Sequence, residues 1–161
     1  MLRLSNLADY AVLACTQLAR ADGRVSAADL ADATQVPAPT MAKLTGILTR
    51  AGLLASSRGP SGGVMLALEP DDISLADIIE AVDGPIGLVA CTHANDAEEE
   101  ACQLSATCQA KPHWAIINDS VRSALSSATL ADLAREQGAA EGAANDMKAD
   151  DSAAEPGKVL A

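Results

Sequence analysis

The sequence predicts a mainly α-helical fold carrying one small β-hairpin. Three observations point there. Apolar residues make up 49% of the 161, yet there is no Phe, one Trp (Trp114) and one Tyr (Tyr10). A core of Leu, Ile, Val and Ala favours packed helices, and the shortage of aromatics argues against a stacking surface for single-stranded nucleic acid. Apolar residues recur at helical spacing through most of the chain up to about residue 135. A single Gly-rich stretch is flanked by two short apolar runs, the signature of a hairpin with a long tip.

Leu7, Tyr10, Ala11, Ala14 and Leu18 share one face, so residues 4–20 read as an amphipathic helix. "ADGR" is a turn. Ser26 then caps a short second helix, with Asp29 in its first turn, ending near Thr34. "QVPAP" interrupts it, and Pro39 suits the first turn of a third helix. That helix, "TMAKLTGILTRAG", keeps Met41, Leu44, Ile47 and Leu48 on one side and stops at Gly52. The runs Leu53–Ala55 and Val64–Leu68 form the hairpin around a tip of Ser, Arg, Gly and Pro. "SLADIIEAVDGP" is a further helix, capped by Ser74 and stopped by Asp83-Gly84-Pro85. After a polar interval, "WAIINDSVRSALSSATLADLA" reads as one long helix with Ile116, Ile117, Val121, Leu125 and Leu130 at near-helical spacing, long enough to serve as a dimerisation helix. From about Glu136 the periodicity ends, and the remaining Ala, Gly, Glu and Asp predict a disordered acidic tail over 136–161.

The formal net charge is −11, but its distribution matters more than its sum. Residues 1–70 hold six Lys/Arg against five Asp/Glu, whereas residues 71–161 hold five against seventeen. The first part is therefore free to approach phosphates. Asp9 and Tyr10 interrupt the N-terminal apolar stretch, which excludes a signal peptide, and no segment approaches the roughly 18 apolar residues of a membrane span. A cytoplasmic protein is expected. In a reducing compartment, clustered cysteines point to metal or redox chemistry rather than disulfides.

Three helices followed by a hairpin are the order of a winged helix-turn-helix, here over residues 1–70. In that architecture the third helix presents its N-terminal turn to the major groove. Thr40 and Lys43 are placed to reach base edges, with Thr45 and Arg50 nearer the DNA backbone. Arg58 stands at the hairpin tip among small residues, where an arginine can enter a minor groove or fork onto a guanine. The competing reading is that three helices have simply packed together.

"CTHANDAEEEACQLSATC", residues 91–108, places Cys91, Cys102 and Cys108 in polar surroundings that cannot build a core. The C-x10-C-x5-C spacing alone leaves an iron–sulfur cluster, another metal, or redox thiols open. A zinc site normally starts from a C-x2-4-C pair, which is absent. Cys15, between Ala14 and Thr16, reads as a small core residue. No Ser/His/Asp or Cys/His catalytic set is visible, so an enzyme is not expected.

The stretches "MLRLSNLADYAVLA", "SAADLADATQVPAPTMAKLTGILTRAGLL", "SSRGPSGGVMLA" and "ISLADIIEAVDGPIGL" resemble the Rrf family of winged-helix regulators, which has IscR-like, NsrR-like and SufR-like branches. The resemblance covers about residues 1–135, and "KPHWAIINDSVRSALSSATLADLA" looks closest to the SUF-system branch. It implies a homodimer on palindromic double-stranded operator DNA, with Thr40, Lys43, Arg58 and Pro60 on the DNA-contacting surface. It also implies that Cys91, Cys102 and Cys108 hold a [2Fe-2S] or [4Fe-4S] cluster, although the first cysteine interval is longer than is common in the family. The histidine of IscR-like members falls on Lys111, a poor ligand. Asp9 matches the first-helix carboxylate of NsrR-like members and ranks first as fourth ligand. His113 ranks second and an open position third; His93 has no family counterpart.

The expectation is thus a homodimeric, cluster-sensing transcription regulator, with residues 71–135 forming a connecting helix, the cysteine segment and the dimerisation helix. The alternatives are a regulator of the same fold sensing nitric oxide, zinc or thiol oxidation, and an iron–sulfur carrier or redox protein that does not bind DNA.

Overall fold

Helix starts organise the chain, and three of them share one chemistry. Ser5, Ser26 and Ser74 sit in extended conformation and accept a hydrogen bond from the third residue beyond, opening α1 (Asn6–Ala19), α2 (Ala27–Thr34) and α4 (Leu75–Asp83). Each of these helices has an Asp in its first turn, favourable beside the positive end of the helix dipole. The caps predicted at Ser26 and Ser74 are present, the latter as a full capping box with Asp77. Between α2 and α4 run α3 (Ala38–Arg50), β1 (Leu54–Ser57), β2 (Gly63–Leu66) and a 3-10 turn at Pro70–Asp72; α5 (Lys111–Ser127) follows later. The computed structural model describes residues 3–59, 62–89, 92 and 107–135. The tail expected at 136–161 lies outside them.

The turn between α2 and α3 is made without glycine. Gln35 takes the left-handed conformation (φ 56°), which costs a side-chain-bearing residue roughly 1–2 kcal/mol. Its own amide offsets part of that by donating to the Asp32 carbonyl at 2.6 Å.

Ala8, Ala11, Ala14 and Cys15 of α1 are completely buried, and Leu30, Met41, Leu44 and Leu48 of α2 and α3 pack into the same core. Ile73, Ile78 and Leu130 belong to that core too, so the chain beyond the hairpin folds back onto the first three helices. The predicted face of α3 needs one revision: Ile47 is only half-buried while Thr45 takes a core place. Ser5 adds a link by donating to the Asp83 carboxylate at 2.8 Å, joining the start of α1 to the end of α4.

The hairpin is antiparallel, with Leu54 opposite Leu66 and Ser57 opposite Gly63. Its first strand runs two residues further than the apolar run suggested, because Ser56 and Ser57 continue the ladder. Val25 adds to its edge through reciprocal backbone hydrogen bonds with Val64, both 2.9 Å. This close approach explains Gly63, where a Cβ would sit 2.6 Å from the Val25 carbonyl oxygen.

The last predicted helix is not continuous. α5 starts earlier than expected, at Lys111, and stops at Ser127; Ala128 is extended (ψ 114°) and residues 130–135 form a separate helical segment. Thr129 and Asp132 cap that segment reciprocally. The break is held by hydrogen bonds from Leu75 N–H to the Ala128 carbonyl and from Leu130 N–H to the Ile73 carbonyl. It turns Leu130 into the core, where no part of it is exposed.

Gly63→Ala is expected to destabilise the fold by roughly 1–3 kcal/mol, the cost of forcing atoms into a packed place. Gly46→Ala, whose nearest neighbour would be the Arg50 guanidinium at 3.6 Å, should be neutral or stabilising by up to about 1 kcal/mol. Urea midpoints of the two variants check both.

Candidate nucleic-acid interface and cysteine segment

α3 differs from the other capped helices in a way that bears on anions. It begins at Pro37, with no side-chain cap and no acid in its first turn. Between Asp32 and Glu69 the chain contains no Asp or Glu, while it carries Lys43, Arg50 and Arg58. None of these three cations makes an ion pair among the described residues, and all three are exposed. Lys43 and Arg50 are seven residues apart, two turns along one face and about 10 Å along the axis. Pro39, Ala42 and Gly46 lie beside them, so the outward face of α3 is basic and low in relief.

Thr40 is half-buried in the first turn of α3. Thr45 is 7% exposed and donates its hydroxyl to the Ala42 carbonyl at 3.1 Å. The expectation that Thr45 lies near the DNA backbone is therefore corrected: its hydroxyl is spent inside the helix and its methyl in the core. Arg58 follows β1 directly, at the tip, where Gly59 has a φ of 122° and its carbonyl accepts from Gly62 N–H at 2.8 Å. Pro60 lies outside the described residues. The acid-free interval was legible in the sequence, but a charge sum over residues 1–70 averages it away.

Of the cysteines, Cys15 is sealed in the core, and burial pushes its thiol up to about 12. Such a thiol is a poor nucleophile and ligand. Cys108 is half-buried just ahead of α5, and its carbonyl receives Lys111 N–H at 3.4 Å. Cys91, Cys102 and His93 lie outside the described residues. Among the described residues no three His, Cys, Asp or Glu side chains gather as a metal site. Asp9 is exposed on the first turn of α1, and His113 is exposed at the third position of α5. Cys108 has the partial accessibility a thiolate ligand needs; Cys15 does not.

α5 is fixed to α4 by a two-pronged ion pair, Arg122 to Glu80 at 2.8 and 3.1 Å. The Arg122 guanidinium holds the Glu80 carboxyl below the usual carboxylate range, with help from the Ile86 N–H. Asn118 is the only buried residue of α5. Most of the rest faces outward, including Trp114, Ile116 (67% exposed) and Ile117, with Leu4 of the N-terminal segment also exposed. Sequence reasoning missed Asn118, since an Asn on a polar helix face looks like a solvated residue.

A helical unit whose third helix offers an unpaired basic face, followed by a Gly-tipped hairpin braced on Val25, defines a winged-helix DNA-binding transcription regulator. The chain belongs to the Rrf2 family, "Iron-dependent Transcriptional regulator", whose profile matches residues 4–136. It is 31% identical over 134 residues to the HTH-type transcriptional regulator IscR of Aliivibrio salmonicida, covering 82% of this chain and 77% of that one. The IscR of Yersinia enterocolitica is likewise 31% identical over 138 residues, covering 84% and 81%. Among solved structures, CymR, "the Global Cysteine Regulator of B. subtilis", is similar with a TM-score of 0.65 and 30% identity, over 84% of this chain and 98% of that one. T. potens IscR is similar with a TM-score of 0.63 and 30% identity, over 84% and 88%. These relatives are regulators of transcription, and the chain is one as well, not an enzyme. No described helix is long and apolar enough to cross a membrane.

Because its folded-state value is lowered, Glu80 contributes stability above the ordinary glutamate value of 4.5, and that contribution is lost as pH falls through the lower folded value. The difference in melting temperature between wild type and Arg122→Ala should therefore be largest near neutrality and shrink on acidification below 4.5. A difference that stays constant across that range would show that the ion pair does not carry it.

Proposed function

We propose that the chain is a homodimeric regulator that binds operator DNA according to the state of an iron–sulfur cluster held by Cys91, Cys102 and Cys108. The observation that carries this reading is the division of the thiols. Three are gathered within eighteen residues, ending at the half-buried Cys108 at the foot of α5, while Cys15 is locked in the core. Membership of an iron-dependent family and the likeness to IscR support it. A bound cluster supplies sensitivity to iron, oxidant and small ligands. The three thiolates hold it, Asp9 is the first choice for a fourth, weaker ligand supplied across the dimer, and His113 is the second. The likeness of the closing "KPHW…" helix to the SUF branch makes cluster-assembly genes the proposed targets.

On the DNA side, Thr40 and Lys43 face base edges, Arg50 meets the phosphate backbone, and Arg58 and Pro60 belong to the wing contact. The unpaired charge of Lys43, Arg50 and Arg58 supports this assignment. The exposed Trp114, Ile116 and Ile117 of α5 support α5 as the dimer interface, since apolar side chains at that density seek cover. The likeness to CymR, a "Global Cysteine Regulator", keeps a second reading in play: the same fold with another signal, for which thiol oxidation or zinc at Cys91, Cys102 and Cys108, with no cluster, is the alternative.

Anaerobically purified protein separates the two. Under the first reading wild type and Cys15→Ala are coloured and contain iron and sulfide, while Cys91→Ala, Cys102→Ala and Cys108→Ala are each colourless. Under the second, wild type is colourless as well. A coloured variant of Cys91, Cys102 or Cys108 beside a bleached Cys15→Ala would overturn the ligand assignment.

Arg58→Ala should weaken binding to a selected duplex by roughly 1–3 kcal/mol and leave iron content unchanged. Affinity equal to wild type across a salt series would remove Arg58 from the interface.

A further inference from the structure

α5 receives the chain from Cys108, and the segment leading toward Cys91 is tied to the same helix. Among the described residues, the hydrogen bonds of that tie run through one side chain. Asn118 donates from Nδ2 to the Ile86 carbonyl and accepts at Oδ1 from Leu88 N–H, both at 3.1 Å. The orientation of the amide is forced, because a carbonyl can meet only the NH2 and an N–H only the oxygen. Asn118 is 7% exposed, so this bridge replaces the pairing that a strand partner would give the two backbone groups. One turn along α5, Arg122 grips Glu80, to which Ile86 N–H also donates. Beyond Leu88, Val89 and Thr92 hydrogen-bond to each other, the Thr92 hydroxyl donating to the Val89 carbonyl and accepting from its N–H.

We propose that Asn118 is the positioning residue that couples the cysteine segment to α5. By holding Ile86 and Leu88 against the helix, it makes a displacement of the thiol-bearing chain a displacement of α5, and through Leu130 and the shared core a displacement felt by α1 and α3. The choice of a neutral amide is specific. An Asp would keep the bond from Leu88 N–H but turn an anion toward the Ile86 carbonyl, and a hydrophobic residue would leave two part-buried backbone groups without their partner. This inference rests on the reading that the cysteines are the sensor.

The test measures affinity for a short duplex selected from a random pool by wild-type protein. Each protein is compared with its thiols free and with them occupied, once by reconstituted cluster and once by alkylation. Wild type should show a shift between states within the roughly 5–150-fold range of ordinary allosteric coupling. In Asn118→Ala the shift should collapse toward unity, with Leu88 N–H losing its protection from hydrogen exchange. Asn118→Asp, which keeps half of the bridge, should fall between and serves if the Ala variant does not fold. Arg122→Ala also loosens α5 but spares the bridge, so it should lose stability and keep the shift. If wild type takes up no cluster yet alkylation shifts its affinity and Asn118→Ala abolishes that shift, the coupling stands and the cluster reading falls. A full shift in folded Asn118→Ala, or no shift in wild type by either treatment, overturns the coupling.

Discussion

The close approach that α1 permits is the constraint on which the rest depends. With no Phe to fill space, the core is closed by bringing helices near one another, and Ala8, Ala11, Ala14 and Cys15 of α1 are the surface against which this happens. Larger side chains there would push the neighbouring helices apart, at a typical cost of about 1–3 kcal/mol for each overpacked position. Because Ile73, Ile78 and Leu130 enter the same core as Leu44 and Leu48, α3 and the chain on either side of the cysteine segment share one packed body. Packed interiors shift between discrete arrangements rather than stretch, which is the property that the proposed coupling of the cysteines to DNA affinity would use.

Charge is sorted onto this body by use. Acids serve helix starts, as Asp29, Asp77 and Asp132 do, or pair across elements, as Glu80 does with Arg122. Between Asp32 and Glu69 there are none, and that interval builds α3 and the hairpin. A chain of net charge −11 thus keeps one acid-free stretch carrying Lys43, Arg50 and Arg58, which is what the proposed DNA contact requires. The long-range repulsion from the remaining acids is screened over roughly 8–10 Å at physiological salt, so it would not cancel the proposed contacts there.

The fold was largely legible because its signals are local. Ser26 and Ser74 mark helix starts by their own chemistry, and the Gly-rich tip can be little else than a hairpin turn. The break at Ala128 does not show in the apolar spacing, because Leu125 and Leu130 keep near-helical spacing across it; the Thr129–Asp132 cap is the local signal that marks the new start. Thr45 was misplaced because a Thr on a helix hides its polarity by bonding back one turn, which composition does not reveal. The basic stretch was legible in outline, and so was the burial of Cys15. Asn118 was not, since its partners lie thirty and thirty-two residues away and nothing local announces them. Pro60, Cys91 and Cys102 lie outside the described residues and stand on sequence alone.

The central claim is that the state of Cys91, Cys102 and Cys108 sets affinity for DNA. The most direct measurement takes a single anaerobic preparation of wild-type protein and titrates it against a selected duplex before and after a chelator has stripped its iron, with iron and sulfide counted at each point. The expected result is a change of affinity that follows cluster content and returns on reconstitution. Equal affinity at full and at zero iron, in protein that remains folded, would contradict it.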